Sequence, residues 1–283
     1  MSYNSSYGQS IANQLAAAIA AKDISVPVLP DVTYRVFSLT QSSDSDAEKL
    51  AKVIQSDPTL GGHVIRIANS AAYTPNSNLV SLQQAITRLG MIEISNIAIS
   101  TSLNSRIFKA PGYEKNIAAI WHHSLVTAVW SKEIARSLRT NVEAAFLCGL
   151  LHSIGKAVIL QTIADFRSSN DSIMGEYDLQ KLFDEYESLI AQVVADEWGL
   201  PLIIAEAMTH YKQFNEAPTA KEIPAIVLFA SQIANHMIDP ELYPLETVST
   251  SRALEVVNLY PDEVSTLLNK VETVKSSIAA LST

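Results

Sequence analysis

The sequence is poor in the residues that support disulfides, thiol chemistry or turn-rich sheets. Among its 283 residues there is one cysteine, Cys148, so an internal disulfide is excluded. Cys148 lies in an apolar stretch, which is typical of a small buried hydrophobe in a reducing compartment rather than of a nucleophile. Only nine residues are glycine, whereas alanine, leucine and isoleucine are abundant, and this composition favours helices.

Positive charge is also scarce. The chain has 20 lysines and arginines against 29 aspartates and glutamates, a formal net charge of −9, and this field repels phosphate backbones. The nearest approach to a basic cluster is Lys132, Arg136 and Arg139, which fall near the end of a predicted helix, where cations complement the helix dipole. We therefore predict that nucleic acid is not a partner.

A continuous run of 18 or more apolar residues, the length that a membrane-spanning helix needs, is absent from the sequence. The apolar stretch at residues 15–21 is too short to cross a bilayer. The first residues carry no basic region of the kind that opens a signal peptide. The expectation is a soluble, cytoplasmic protein without a membrane partner.

Helical periodicity with capping signals runs through nearly the whole chain, and no strand-like alternation interrupts it, so the predicted fold is all-α. Asp57 and Pro58 combine a favourable N-cap with proline at the first helical position. Ser45 with Glu48, and Ser81 with Gln84, have the spacing of capping boxes. The pattern predicts helices at about residues 32–40, 91–108, 114–138, 142–163, 179–198, 203–211 and 223–237, and a last helix from 261 to 281.

The residues of greatest chemical interest are His152-Ser153-Ile154-Gly155-Lys156, within an apolar run from residue 144 to 160. Glycine inside a helix costs about 1 kcal/mol relative to alanine, so Gly155 indicates close packing against a neighbouring helix. Lys156 follows His152 by four residues and shares its helix face. The sequence lacks a glycine-rich phosphate loop, a Gly-x-Ser-x-Gly elbow, paired cysteine ligands and a His-Glu-x-x-His zinc motif.

Several short motifs follow one another in a characteristic order, and through them the chain resembles the HDOD family, bacterial regulatory domains related to the HD phosphohydrolases. The motifs are Val-Leu-Pro at 28–30, Ile-Gln-Ser-Asp-Pro-Thr-Leu at 54–60, Ile-Ala-Asn-Ser-Ala-Ala-Tyr at 67–73, Ser-Leu-Gln-Gln-Ala-Ile-Thr-Arg-Leu-Gly at 81–90, Trp-His-His-Ser at 121–124, Leu-Leu-His-Ser-Ile-Gly-Lys at 150–156 and Trp-Gly-Leu-Pro at 198–201. The resemblance covers about residues 28–237.

The resemblance implies an all-α fold in which an N-terminal helical bundle packs on an HD-like helical subdomain. The Pro111-Gly112 pair marks the preferred boundary between the two. We therefore predict four segments: an N-terminal helix at 1–27, the first helical subdomain at 28–112, the HD-like subdomain at 113–238 and a C-terminal helical extension at 239–283.

The resemblance also implies a vestigial form of the HD metal site, formed by His123, His152, Ser153, Glu187, His210 and Ser231. In HD phosphohydrolases, histidines and two aspartates bind one or two metals. Ser153 and Ser231 stand at the aspartate positions, and Tyr211 replaces the second histidine of a pair that begins with His210. Mg²⁺ and Mn²⁺ prefer charged oxygen ligands, so we expect a degenerate site with no catalytic residues and no cofactor.

Three functions stay open at this point. The leading hypothesis is a regulatory protein that contacts signalling partners such as kinases or cyclic-dinucleotide enzymes. The second is a metal-dependent phosphohydrolase of nucleotides or cyclic nucleotides, with a divalent metal at His123 and His152. The third is a non-catalytic sensor of a nucleotide or other anion held by Lys156. Against the last two, histidines in such apolar helices are more often hydrogen-bonded core residues than ligands, and the favoured interpretation of Lys156 is a lysine that reaches solvent.

Overall fold

The computed structural model describes residues 3–41, 46–73, 79–104, 107–167 and 173–282. Over these ranges the chain forms α-helices and one 3-10 helix, and no β-strand is present. The predicted all-α fold is confirmed.

The described helices follow one another with short connections. The first six are α1 (Ser6–Ala21), α2 (Asp31–Gln41), α3 (Ala47–Gln55), α4 (Pro58–Ala68), α5 (Leu82–Leu89) and α6 (Met91–Asn104). The middle of the chain forms α7 (Glu114–Leu138), α8 (Val142–Leu151), α9 (Ile154–Phe166), α10 (Glu176–Glu197), α11 (Leu202–His210), a 3-10 helix (Tyr211–Glu216) and α12 (Glu222–Ile238). The last four are α13 (Leu245–Ser249), α14 (Leu254–Val257), α15 (Pro261–Leu268) and α16 (Val271–Ser282).

Local hydrogen bonds at the N-termini explain where several helices begin. The Asp57 carboxylate accepts from the backbone N–H groups of Thr59 and Leu60, as its predicted capping role requires. The Ser81 Oγ accepts from the Gln84 backbone at 3.2 Å, which confirms Ser81 as the N-cap, but the Gln84 side chain accepts from the Val80 N–H and so does not complete the predicted capping box. At α3 the cap is Asp46, whose carboxylate accepts from the Lys49 backbone at 2.8 Å.

The Ser45–Glu48 capping box is therefore wrong, because an aspartate one residue later occupies the capping position; Ser45 itself lies outside the described residues. The single helix predicted at 142–163 is two helices, which meet at His152 and Ser153. The last predicted helix also divides, between Leu268 and Val271, where the Lys270 N–H bonds to the Leu267 carbonyl three residues back and α15 ends.

The long helix α7 lies at the centre of the packing and contacts α8, α9, α12 and α16. Helices α2 to α6 pack mainly on one another, and α6 also contacts α7 and α8. The N-terminal α1 lies on α9 and α10, while α16 contacts both α6 and α7. One continuous hydrophobic core runs through these elements. The division into four segments stays a prediction.

Two glycines allow helices to approach closely near the middle of the second half. A Cβ at Gly155 would lie 2.4 Å from the carbonyl oxygen of Glu187, so α9 and α10 touch through backbone there. A Cβ at Gly149 would lie 2.8 Å from the Cα of Ala128, which brings α8 equally close to α7. The close packing predicted at Gly155 is confirmed.

One segment of the described chain, Val142–Phe166, is long and apolar enough to cross a membrane by length and composition. It comprises α8 and α9, and 78% of its most apolar 18-residue window is buried inside the protein. Because core helices have the same composition, this segment is weak evidence for a membrane span.

Candidate functional site

A cavity of about 590 Å³ opens beside the His152-Ser153 junction, between α7, α10, α12 and the 3-10 helix. Its volume falls within the range typical of small-molecule sites. The residues that line it are Asn116, Ala119, Ile120, His123, Ser153, Lys156, Glu176, Gln180, Phe183, Asp184, Tyr211, Lys212, Leu228, Ser231, Gln232, Asn235 and Tyr243. We call this cavity the polar pocket.

Two histidine rings lie together at the base of the polar pocket. The ring centroids of His123 and His152 are 5.3 Å apart, and those of His152 and Tyr211 are 4.9 Å apart with the two rings nearly perpendicular. The Nδ1 atom of His152 is 2.7 Å from the carbonyl oxygen of Gly149, so this nitrogen carries the proton and donates. The Nε2 atoms of both histidines are buried without a hydrogen-bond partner among the described residues.

Both histidines are held in the neutral form. Burial, with a smaller contribution from the Lys156 charge, lowers the pKa of His123 to about 4. The Ser231 backbone and the Asn235 side chain hydrogen-bond its ring and oppose this shift. Burial, followed by the nearby His123, also places the pKa of His152 well below its usual range. At neutral pH the base of the pocket therefore contributes no positive charge.

The two serines at the predicted aspartate positions both line the polar pocket. Ser153 is buried at the start of α9, and its Oγ is 2.7 Å from the Oγ of Ser124 on α7. Ser231 is buried on α12, and its backbone lies close to the His123 ring. Neither position supplies a carboxylate.

A charged network lies beside the polar pocket, and the buried carboxylate of Glu187 is at its centre. Its Oε2 lies 2.7 Å from the Lys212 Nζ, and its Oε1 lies 3.8 Å from the Lys156 Nζ. The Tyr211 hydroxyl donates to Oε1 at 3.3 Å. Lys212 also pairs with Asp184 at 3.5 Å. Burial and the adjacent Glu187 charge raise the pKa of Tyr211 far above its usual range, so the phenol stays protonated.

Of the six predicted pocket residues, three line the cavity: His123, Ser153 and Ser231. His152 lies behind them, and Glu187 reaches the site through the two lysines. His210 ends α11 half-buried and does not line the cavity, whereas the next residue, Tyr211, does.

Sequence reasoning did not identify the amides Asn116, Gln180, Gln232 and Asn235 as pocket residues, although all four line it. It also missed Lys212 and Tyr243. Single polar residues on amphipathic helices resemble a solvated face, so the sequence carries no signal that separates these residues from surface positions. The one sequence feature that indicates a pocket residue outside the predicted set is Tyr211, which stands at the second position of the histidine pair.

The donor set does not fit a divalent metal ion. Across the described residues, no group of three histidine, cysteine, aspartate or glutamate side chains is gathered in a way that could hold a metal. His123 and His152 offer two neutral nitrogens, but catalytic metal sites usually have three protein ligands. The nearest carboxylate, Glu187, is engaged by two lysines, and the charge of Lys156 opposes a cation beside it.

Comparison with known proteins decides the family. The model of the HDOD domain matches residues 26–214. The chain belongs to the HDOD family. This HDOD chain is also similar in fold to solved bacterial structures. One is a candidate metal-dependent phosphohydrolase from Shewanella amazonensis, with 18% identity, a TM-score of 0.77, and coverage of 98% of this chain and 100% of the other.

Two further solved structures have the same fold. An HDOD domain protein of unknown function from Geobacter sulfurreducens shares 19% identity with a TM-score of 0.74, covering 96% of this chain and 97% of that one. A candidate signal transduction protein from Marinobacter aquaeolei shares 20% identity with a TM-score of 0.67, covering 100% of this chain and 68% of that one. At these identities the likeness establishes the fold.

An uncharacterized protein from Treponema pallidum is 21% identical over 232 residues, which is 79% of this chain. The match spans 45% of that protein, so the chain covers less than half the length of this curated relative.

Proposed function

We propose that this HDOD chain is a cytoplasmic regulatory protein that acts by contacting other signalling proteins and does not catalyse phosphoester hydrolysis. Its partners would be proteins such as kinases or cyclic-dinucleotide enzymes. The metal-dependent phosphohydrolase is the competing function. The two are separated by the chemistry of the polar pocket.

The observation that carries the proposal is the composition of the site around the two histidines. Ser153 and Ser231 bring hydroxyls where a hard cation needs carboxylates, and Ser153 is engaged by Ser124. Glu187, the buried carboxylate beside the site, is paired with Lys156 and Lys212. A metal would have to displace these ion pairs and bind next to a lysine.

The relatives are consistent with both functions and favour neither alone. The Marinobacter protein is named for signal transduction, and the Shewanella protein for metal-dependent phosphohydrolysis. Membership of the HDOD family supports a regulatory role in the coarse sense. The missing carboxylates of this particular chain favour the non-enzymatic reading.

The decisive experiment measures metal content and hydrolysis on the purified full chain. We expect substoichiometric Mn, Fe, Ni and Zn by mass spectrometry, and no hydrolysis of bis(p-nitrophenyl) phosphate or of a cyclic dinucleotide with added Mn²⁺. One metal per chain that is lost in a folded His152→Gln variant, together with turnover, would establish the phosphohydrolase instead.

Aspartate substitutions test whether the carboxylates alone are missing. Ser153→Asp is expected to stay inactive, because a second carboxylate at position 231 is still absent. The matched comparison is the double variant Ser153→Asp, Ser231→Asp, which should gain metal affinity if the positional assignment is correct. Robust turnover from Ser153→Asp alone would show that the assignment of Ser231 is wrong.

The partner is sought by affinity capture from the cell of origin, followed by direct binding assays with each purified candidate. The expected result is saturable binding to a kinase or cyclic-dinucleotide enzyme, with a change in that enzyme's rate. Hydrolysis of a small phosphoester in the absence of any such effect would contradict the proposal.

A further inference from the structure

Two polar atoms in the polar pocket have hydrogen-bonding capacity that the described protein leaves unused. The Oε1 atom of Gln232 on α12 and the Nε2 atom of His123 on α7 are buried and have no partner among the described residues. In folded proteins nearly all such atoms are paired, either with protein or with a bound molecule or water. Both residues line the cavity, so a small rotation of either side chain would offer its unpaired atom to a bound molecule.

The charged side chains of the pocket already neutralise one another. Lys156 and Lys212 both contact Glu187, and Lys212 also contacts Asp184. The only other charged residue that lines the cavity in the described chain is an acid, Glu176. A phosphate would have to compete with Glu187 for both lysines and would lie near two further carboxylates. The electrostatics disfavour an anionic ligand.

The rest of the lining offers amides and aromatic surface. Asn116, Gln180 and Asn235 add donors and acceptors to those of Gln232. Phe183 and Tyr243 supply aromatic walls, and the Lys156 Nζ lies 5.9 Å from the Phe183 ring centroid. Amide groups with flat apolar walls suit a compact molecule that has several hydroxyl or ring-nitrogen groups.

We propose that the polar pocket binds an uncharged, hydrogen-bonding small molecule of nucleoside or sugar size. Gln232 and His123 would bond its polar groups, while Phe183 and Tyr243 would contact its faces. This inference rests on the proposed non-enzymatic function, because it assigns the former metal pocket to ligand binding without chemistry.

The test compares uncharged compounds with their phosphorylated counterparts on the full chain. The probes are adenosine with AMP, guanosine with GMP, and glucose with glucose 6-phosphate, each by thermal shift and titration calorimetry. At least one uncharged member should raise the Tm by about 5 °C at roughly 100 times its Kd. Its phosphorylated counterpart should bind at least tenfold more weakly, and salt should leave the uncharged compound's Kd unchanged.

The variant Gln232→Leu removes the unpaired acceptor at nearly constant side-chain size and should weaken binding at least tenfold. Gln192→Leu is the matched control, because Gln192 is an exposed glutamine on α10 that does not line the pocket. This control should bind as the unmodified chain does, and its Tm reports any general effect of an added leucine.

Three results would overturn the inference: tighter binding of the phosphorylated members, binding by none of the probes, or binding that Gln232→Leu leaves unchanged. Tighter binding of AMP or GMP that is lost in Lys156→Ala would identify an anion sensor instead. These outcomes are independent of the hydrolysis assay, so a failure of the ligand assignment is distinguished from a failure of the regulatory proposal.

Discussion

At the scale of single residues, Gly155 sets the distance between the two helices that carry Lys156 and Glu187. Because a Cβ at this position would overlap the Glu187 carbonyl oxygen, any side chain here forces α9 away from α10. Gly62, in contrast, lies in the middle of α4 and has open space where a Cβ would be. The two glycines therefore allow a matched test of close packing against helix propensity.

We predict that Gly155→Ala lowers the free energy of unfolding by about 1–3 kcal/mol, because the overlap exceeds the gain in helix propensity. The control Gly62→Ala should raise it by about 0.5–1 kcal/mol. Urea denaturation followed by circular dichroism measures both. A stabilised Gly155→Ala would mean that α9 and α10 are not in backbone contact.

The neutral His123 predicts a stability that falls in mild acid. Its pKa is about 4 in the folded protein and near 6.5 in the unfolded chain, so below pH 6.5 the unfolded state binds more protons. Stability is thus lost as the pH falls from 6.5 toward 4, by about 2 kcal/mol at pH 5 for this group. Urea denaturation at pH 7 and pH 5 measures the difference.

His123→Gln should reduce this loss between pH 7 and pH 5, although the buried His152 would keep part of it. His122→Gln, a change at the exposed neighbour on the same helix, is the control and should leave the pH dependence as it is. An unchanged pH dependence in His123→Gln would contradict the assigned burial of this ring.

At the scale of elements, the chain that follows α12 contacts the 3-10 helix that carries two pocket residues, Tyr211 and Lys212. The guanidinium of Arg252, between α13 and α14, donates to the backbone oxygen of Lys212 and lies 5.3 Å from the Phe214 ring centroid. This contact ties a segment outside the family match to one wall of the polar pocket.

We predict that Arg252→Ala loosens the 3-10 helix and costs about 1 kcal/mol of stability, from the lost cation–π contact and hydrogen bond. Hydrogen exchange should accelerate selectively at residues 211–216. Lys275→Ala, which breaks an exposed ion pair with Glu272 on α16, is the comparison and should change stability by less than about 0.5 kcal/mol. Equal hydrogen-exchange rates at residues 211–216 in both variants would contradict the proposed contact between Arg252 and the 3-10 helix.

The elements show where sequence reasoning succeeds and where it cannot. The predicted bounds of α7, 114–138, agree with the structure, because the Pro111-Gly112 pair interrupts the helical pattern just before it. The break at His152–Ser153 was missed since α8 and α9 are buried on nearly all sides and their apolar pattern has no period to interrupt. The resemblance to the HDOD family predicts that His123 and His152 lie in one site. The Glu187–Lys212 ion pair could not be predicted, because it depends on a tertiary contact between α10 and the 3-10 helix that the local sequence pattern does not encode.

At the scale of the whole molecule, a nearly buried ion pair joins α6 to the central helix α7. The Nζ of Lys132 on α7 lies 2.8 Å from a carboxylate oxygen of Glu93 on α6, and their side chains are only 16% and 11% exposed. Lys132 also lies over the rings of Tyr73 and Phe146, at 5.4 and 5.7 Å. Charge, aromatic contact and burial coincide at this junction.

Removing one partner of this junction should be costly because it leaves the other charge buried and unpaired. We predict that Lys132→Met lowers the unfolding free energy by about 2–4 kcal/mol, and that adding Glu93→Gln recovers part of the loss. Lys52→Met breaks the exposed Lys52–Glu48 pair and should cost less than about 0.5 kcal/mol. Similar losses for the two lysine variants in urea denaturation would show that the junction is not specially stabilising.

The polar pocket crosses the edge of the family match, and this has a practical consequence for choosing where to cut the gene. Residues 26–214 contain the histidine pair, Glu187 and Lys212, whereas Gln232 and Tyr243 belong to the part that follows. A fragment trimmed to the matched range would retain every family motif and yet lack one wall of its own cavity. Ligand screens on such fragments would return negatives that say nothing about the intact protein.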